Sequence, residues 1–183
     1  MVFGIIIGIV LAVIVIMFVY YFNRLVTLSN EIDNSLSQID VQLKKRSDLV
    51  PNLLSSVKGY MKHEKSIIAE VTNARKALIG AKTMESKVKA GGDLGNALKS
   101  VFALAENYPD LKANTNFLQL QQELSAIEDK VAYARQFYND ATLSYNNACT
   151  TFPGTFFARL YNRQAKKFLQ IAPAERAVPK VSF

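Results

Sequence analysis

The stretch Phe117–Ala148, FLQLQQELSAIEDKVAYARQFYNDATLSYNNA, decides the fold class. Its apolar residues are Phe117, Leu120, Leu124, Ile127, Val131, Ala134, Tyr138, Ala141, Tyr145 and Ala148, and they alternate steps of three and four without a slip. That is the seam of an α-helix made to pack along another helix, and at 1.5 Å per residue it spans roughly 50 Å. The drift from Phe and Leu to Ala predicts closer packing towards Cys149.

A helix of this length needs a long partner, and the first third of the chain supplies one. Ile32, Leu36, Ile39, Leu43, Val50, Leu53, Val57 and Tyr60 continue one face, with Arg46 in a slot where an apolar residue is expected. A charge in that slot predicts an acidic partner, either Asp48 or the Glu123–Asp129 cluster. Proline lacks an amide hydrogen and crowds the carbonyl four residues back, so Pro51 is expected to kink the helix or restart it. The pattern then runs on past Gly59, which suggests a close neighbour there, to Ile67, Val71 and Leu78. Ala90-Gly91-Gly92-Asp93 reads as a turn with Asp93 as N-cap, followed by a short helix over 94–107 that Tyr108-Pro109 ends. Phe152-Pro153-Gly154 closes the long helix, and 155–170 reads as a last amphipathic helix.

Met1–Phe22 contains no charged side chain, and roughly 20 apolar residues suffice for a helix to cross a bilayer. The start carries no Lys or Arg, the run is too long for a signal peptide, and Val19-Tyr20-Tyr21-Phe22 is bulky where a cleavage site needs small residues. An uncleaved anchor over residues 1–22 is therefore expected, with Tyr20, Tyr21 and Phe22 as an interfacial aromatic belt. Neither Pro nor Gly lies between Phe22 and Lys44, so the span should run into the aqueous phase as one rod. The organisation read from the sequence is thus all-α: an anchor over 1–22, an elongated antiparallel bundle of about four helices over 23–172, and an irregular tail over 173–183. Arg24 and Lys44-Lys45-Arg46 follow the span, which favours a cytoplasmic body.

The net charge of +7 is segregated. Residues 44–99 carry twelve bases against five acids, whereas 100–148 carry three against six. Segments of opposite sign that pack together neutralise each other, which argues against specific nucleic-acid binding. Two sets are candidates for interaction. The first is Lys44, Lys45, Arg46, Lys58, Lys62 and Lys65, of which helical spacing places the last three on one stripe. That arrangement suits phosphate or lipid head groups, or a solvated face paired with the acidic helix. The second is the aromatic and basic set Phe156, Phe157, Arg159, Arg163, Lys166 and Lys167, suited to a membrane surface, a partner or the end of the bundle.

Catalytic chemistry is poorly represented. With His63 as the only histidine, a pair of His ligands and HExxH are excluded, and Cys149 has one candidate base. Gly91-Gly92-Asp93-Leu94-Gly95 lacks the GxxxxGK[ST] frame, and the carboxylates lack the ExxH pairing of helical di-metal sites. No cofactor, metal or catalytic residue is expected.

Three motifs follow one another, each separated from the next by three residues: SQIDVQLK over 37–44, DLVPNL over 48–53 and VKGYMKHE over 57–64. With YPDLKA over 108–113, LQQELSAIEDKVAYARQFYN over 120–139, Phe152-Pro153 and the closing PKVSF, this order resembles the LemA family of bacterial membrane-anchored helical proteins. Leu36 stands where the family commonly has Trp, and Glu128-Asp129-Lys130 replaces a usual ENR. The resemblance implies a membrane helix followed by a helical bundle, with no agreed catalytic set. Family members look like scaffolds or adaptors, some encoded beside membrane proteases, and one branch takes part in bacterial organelle membranes. The expected role is a non-enzymatic, single-pass scaffold of the bacterial cell membrane that forms homo-oligomers and organises membrane or protein. The alternative is an adaptor docking on a membrane protease or other envelope protein. An electrostatic binder of nucleic acid or anionic lipid ranks third.

Overall fold

The computed structural model describes residues 1–61 and 63–169, which form six helices and no strand among the described residues. They are α1 (Val2–Lys58), α2 (Lys65–Gly80), α3 (Met84–Ala105), α4 (Pro109–Lys112), α5 (Thr115–Thr150) and α6 (Gly154–Leu160). The expected tail over 173–183 lies outside the described residues. The chain divides into two compact units, and α1 and α5 each contribute to both.

The first unit contains Met1–Ser35 and Gln136–Leu169. Its α1 segment is exposed through Ile16 and becomes buried only at Leu25, Leu28 and Ile32. Among the described residues, α1 is the one helix long and apolar enough to cross a membrane. Tyr138, Ala141, Tyr145 and Ala148 of the α5 seam are buried here. The expected last helix is shorter than the sequence suggested. Asn162 takes a left-handed φ of 52°, its N–H donates to the Arg159 carbonyl at 3.1 Å, and the Arg163 N–H donates to the Ala158 carbonyl at 2.8 Å. This paired bonding satisfies the orphan carbonyls of a helix end and terminates α6. Residues 163–169 follow without regular structure.

The second unit includes Leu36–Arg135. Phe117, Leu124, Ile127, Val131 and Ala134 of the seam are buried, as are Ile39, Leu43, Val50, Leu53 and Val57 of α1. α2 packs on α3, and Phe102 of α3 meets Phe117 of α5 edge-on at 6.0 Å. The α5 N-terminus is capped by Asn114, whose Oδ1 accepts from the Phe117 N–H at 3.1 Å.

Two local expectations are corrected in this unit, and one is resolved. Of the two outcomes expected at Pro51, a restart is excluded: Pro51 is no terminus, and α1 continues through it to Lys58. The carbonyl that Pro51 leaves without a helical donor is that of Ser47, and Arg75 Nε of α2 donates to it at 2.9 Å. The helix instead ends ahead of Gly59, which has open space around it and no close neighbour. Nor is Ala90–Asp93 a turn. It lies inside α3, whose N-terminus is Thr83 in a reciprocal capping box with Ser86.

Candidate functional site

The basic triplet separates by side. Lys44 and Lys45 are exposed, and Lys44 pairs with Asp48 at 2.9 Å one turn on. Arg46 turns inward and is 4 % exposed. Its guanidinium forms an ion pair with Glu128 of α5 and donates from Nη1 to the Gly91 carbonyl of α3 at 3.1 Å. The acidic partner thus comes from the Glu123–Asp129 cluster, and Asp48 serves Lys44 instead. Burial lowers the Arg46 pKa, while Glu128 opposes that shift through its charge and its hydrogen bond.

The glycines that look like a turn make room for this arginine. A Cβ on Gly95 would lie 2.9 Å from Arg46 Nη2, and one on Gly91 would lie 2.5 Å from Leu43 Cδ2. Gly91 and Gly95 are one turn apart, so together they give α3 a flat strip against α1. Composition alone suggested a loop because glycine disfavours helix; the close approach of α1 is what overrides that preference.

Lys58, Lys62 and Lys65 do not form a stripe on one helix, since Lys58 closes α1 and Lys65 opens α2. Both are exposed, and Lys62 lies outside the described residues. Other bases pair with acids: Lys87 with Asp40, Lys112 with Glu106, and Lys166 with Asp33 at 3.7 Å. Of these pairs, Arg46–Glu128 joins the basic stretch 44–99 to the acidic stretch 100–148.

The second candidate set divides in the same way. Phe157 is 5 % exposed, stacked on Tyr21 at 4.6 Å and edge-on to Phe18 at 5.1 Å. Tyr161 lies edge-on to Phe22 at 5.4 Å and donates its hydroxyl to the Phe18 carbonyl at 2.9 Å. Phe156, Arg159 and Lys167 are exposed, and Arg163 and Lys166 are half-buried. Lys166 Nζ reaches Ser29 Oγ at 3.1 Å and sits 5.3 Å from the centre of the Tyr145 ring.

The segment beyond α6 is held by asparagines that the sequence reading passed over. Asn146 accepts from the Lys166 N–H at 2.8 Å and donates to the Lys166 carbonyl at 2.9 Å. Asn139 does the same for Leu169, at 3.0 and 3.2 Å, and Tyr138 donates to the Lys167 carbonyl at 2.9 Å. Seven helical residues rise about 10.5 Å and three extended residues span about 10 Å, so the two registers match. The signal was legible as a doubled dipeptide, Tyr138-Asn139 and Tyr145-Asn146, seven residues apart. Nearby, burial pushes the Cys149 thiol up, with Tyr145, Arg163 and Lys166 opposing, so it stays protonated and a weak nucleophile. Among the described residues, no three His, Cys, Asp or Glu side chains are grouped so as to hold a metal.

Several proteins are similar to this chain in sequence. The chain is 24 % identical over 179 residues to magnetosome proteins MamQ 1 and MamQ 2 of Paramagnetospirillum magneticum, covering 84 % of this chain and 66 % of each relative. It is 32 % identical over 134 residues to protein LemA of Metamycoplasma hominis, covering 71 % of this chain and 60 % of that protein. The chain thus spans about two thirds or less of the length of these relatives. The LemA family profile matches residues 35–183, a range that takes in Arg46, the Gly91–Gly95 strip, Glu128 and the paired asparagines. With the motif order and the helical architecture agreeing along that range, the chain belongs to the LemA family.

Proposed function

We propose that this chain is a non-enzymatic, membrane-anchored scaffold, with its body on the cytoplasmic side of a bacterial cell membrane and more than one copy in each assembly. The observation that carries this reading is α1, one helix from Val2 to Lys58 that joins the candidate membrane span to buried body residues with no intervening linker. The first unit, which contains the span, is held in a fixed orientation relative to the bilayer, which suits a protein that organises others. Lys44, Arg46, Lys87, Lys112 and Lys166 each pair with an acid and so do not form an unopposed basic patch for nucleic acid. Exposed apolar side chains on α5, Tyr133 in the second unit and Phe137 and Leu143 in the first, offer surface to a second copy. Three relatives carry the name of a magnetosome protein, which fits a role in a larger assembly.

Size-exclusion chromatography with light scattering on the full chain in detergent tests the reading. The expected result is a protein mass of two or more chains that persists on dilution. A uniformly monomeric species would contradict self-association and favour the adaptor role instead.

A further inference from the structure

We propose that α6 is a second membrane contact, whose outward residues Phe152, Phe156 and Leu160 lie in the interfacial layer of the bilayer that α1 crosses. The argument begins with depth. Residues 2–22 of α1 rise about 30 Å, the thickness of a bilayer's hydrocarbon core. The first charged side chain after that stretch is Arg24. The turn containing Phe18, Tyr21 and Phe22 therefore sits where hydrocarbon gives way to head groups.

α6 is fixed to that turn. Phe157 stacks on Tyr21, Tyr161 packs on Phe22, and the Tyr161 hydroxyl donates to the Phe18 carbonyl. The contact is also close at the backbone, since a Cβ on Gly154 would lie 3.4 Å from the Tyr21 ring. With its inner face set against the end of the span, α6 shares the depth of that turn.

The outer face has the matching chemistry. Phe152, just ahead of the helix, is 90 % exposed, Phe156 is 59 % exposed and Leu160 is 54 % exposed. A spacing of four places Phe156 and Leu160 on one side of α6, and the exposed apolar surface of Val19 and Phe22 lies on the same turn of α1 that α6 grips. Arg159 is exposed on the same helix, a cation available to phosphate head groups. Aromatic rings next to arginine at the end of a span form an interfacial anchor, and a rigid one would set the depth and rotation of the helix that carries it.

The chain has no tryptophan, so one can be introduced as a depth probe. The full chain with Phe156→Trp would be reconstituted in phosphatidylcholine vesicles containing lipid brominated near the head group. Ile9→Trp, within the span and read against lipid brominated deep in the acyl chain, and Asn34→Trp, exposed on α1 twelve residues beyond Phe22 in the same unit, are the controls. The expected result is lipid quenching of Phe156→Trp by roughly twofold, with Asn34→Trp unaffected. Quenching of Phe156→Trp by aqueous iodide in place of lipid would overturn the proposal. So would protection from both quenchers, which would mean that a second copy or another protein covers this face. If Ile9→Trp also escapes lipid quenching, the proposal falls together with the membrane span on which it rests.

Discussion

The two units cover the same helical seam with different materials. In the second unit, α5 is covered by other helices, and the specific contact among them is a charge: Arg46, buried between Glu128 and the Gly91–Gly95 strip. In the first unit, part of the covering is irregular backbone, held in register by Asn139 and Asn146. The difference follows from what each surface must satisfy. A helix brings its own backbone bonds, so one side chain can fix its position. An irregular strand arrives with unpaired N–H and C=O groups, and amides that both donate and accept can satisfy them in pairs.

If this contrast is right, the largest loss comes from the tightest backbone contact. A Cβ on Gly154 would lie 2.2 Å from the Ala148 carbonyl oxygen, and backbone cannot yield as a side-chain tip can. Gly154→Ala should cost about 3 kcal/mol, visible as a lower denaturation midpoint in detergent. An unchanged midpoint would mean that α6 is not seated against the end of α5.

The charge lock comes next. Removing a partner from a buried pair leaves an uncompensated charge, and Glu128→Ala should cost about 2 kcal/mol, moderated because Glu128 is itself partly exposed and Gly91 still accepts from Arg46. Adding Arg46→Met to that variant should recover most of the loss, because no charge then remains buried. A double variant as unstable as the single one would show that Arg46 serves packing and not pairing.

Asn146→Ala should cost about 1–2 kcal/mol, since both bonds to Lys166 are lost and two backbone groups are left unpaired. Asn146→Asp should recover only part, because a carboxylate accepts from the N–H but cannot donate to the carbonyl. Faster amide exchange confined to 163–169 would confirm where the damage lies.

The smallest effect belongs to Arg75, whose Nε serves the carbonyl that Pro51 leaves open. Arg75→Ala should cost about 1 kcal/mol in the native background and less when combined with Pro51→Ala, where the restored N–H bonds Ser47 within the helix. Equal losses in both backgrounds would break the link between the two residues.

The same contrast separates what could be read from the sequence from what could not. Period is local, and it served well: nine of the ten seam residues of 117–148 are buried, all but Leu120, and the slot of Arg46 in the α1 face signalled an acidic partner, which of the two candidates is the Glu123–Asp129 cluster. Single residues whose role is set by a distant neighbour were less legible. Pro51 is tolerated inside α1 because Arg75, 28 positions away along the chain, takes up the freed carbonyl. Gly91 and Gly95 look like breakers until α1 is placed against them. The end of α6 is set locally: Asn162 takes the left-handed conformation that stops a helix, although Phe168 and Leu169 beyond it continue the apolar composition. For the candidate interaction residues, the sequence located two sets but not their sides. Arg46 and Phe157 face inward, while Lys44, Lys45, Phe156 and Arg159 face out.

The central claim is that span and body are one helix. Amide hydrogen exchange across 19–32 of the full chain in lipid nanodiscs tests it most directly. The account predicts slow exchange without a gap from Val19 through Leu25 and Leu28 to Ile32. A window of fast exchange between Phe22 and Leu28 would reveal a flexible joint there and contradict it.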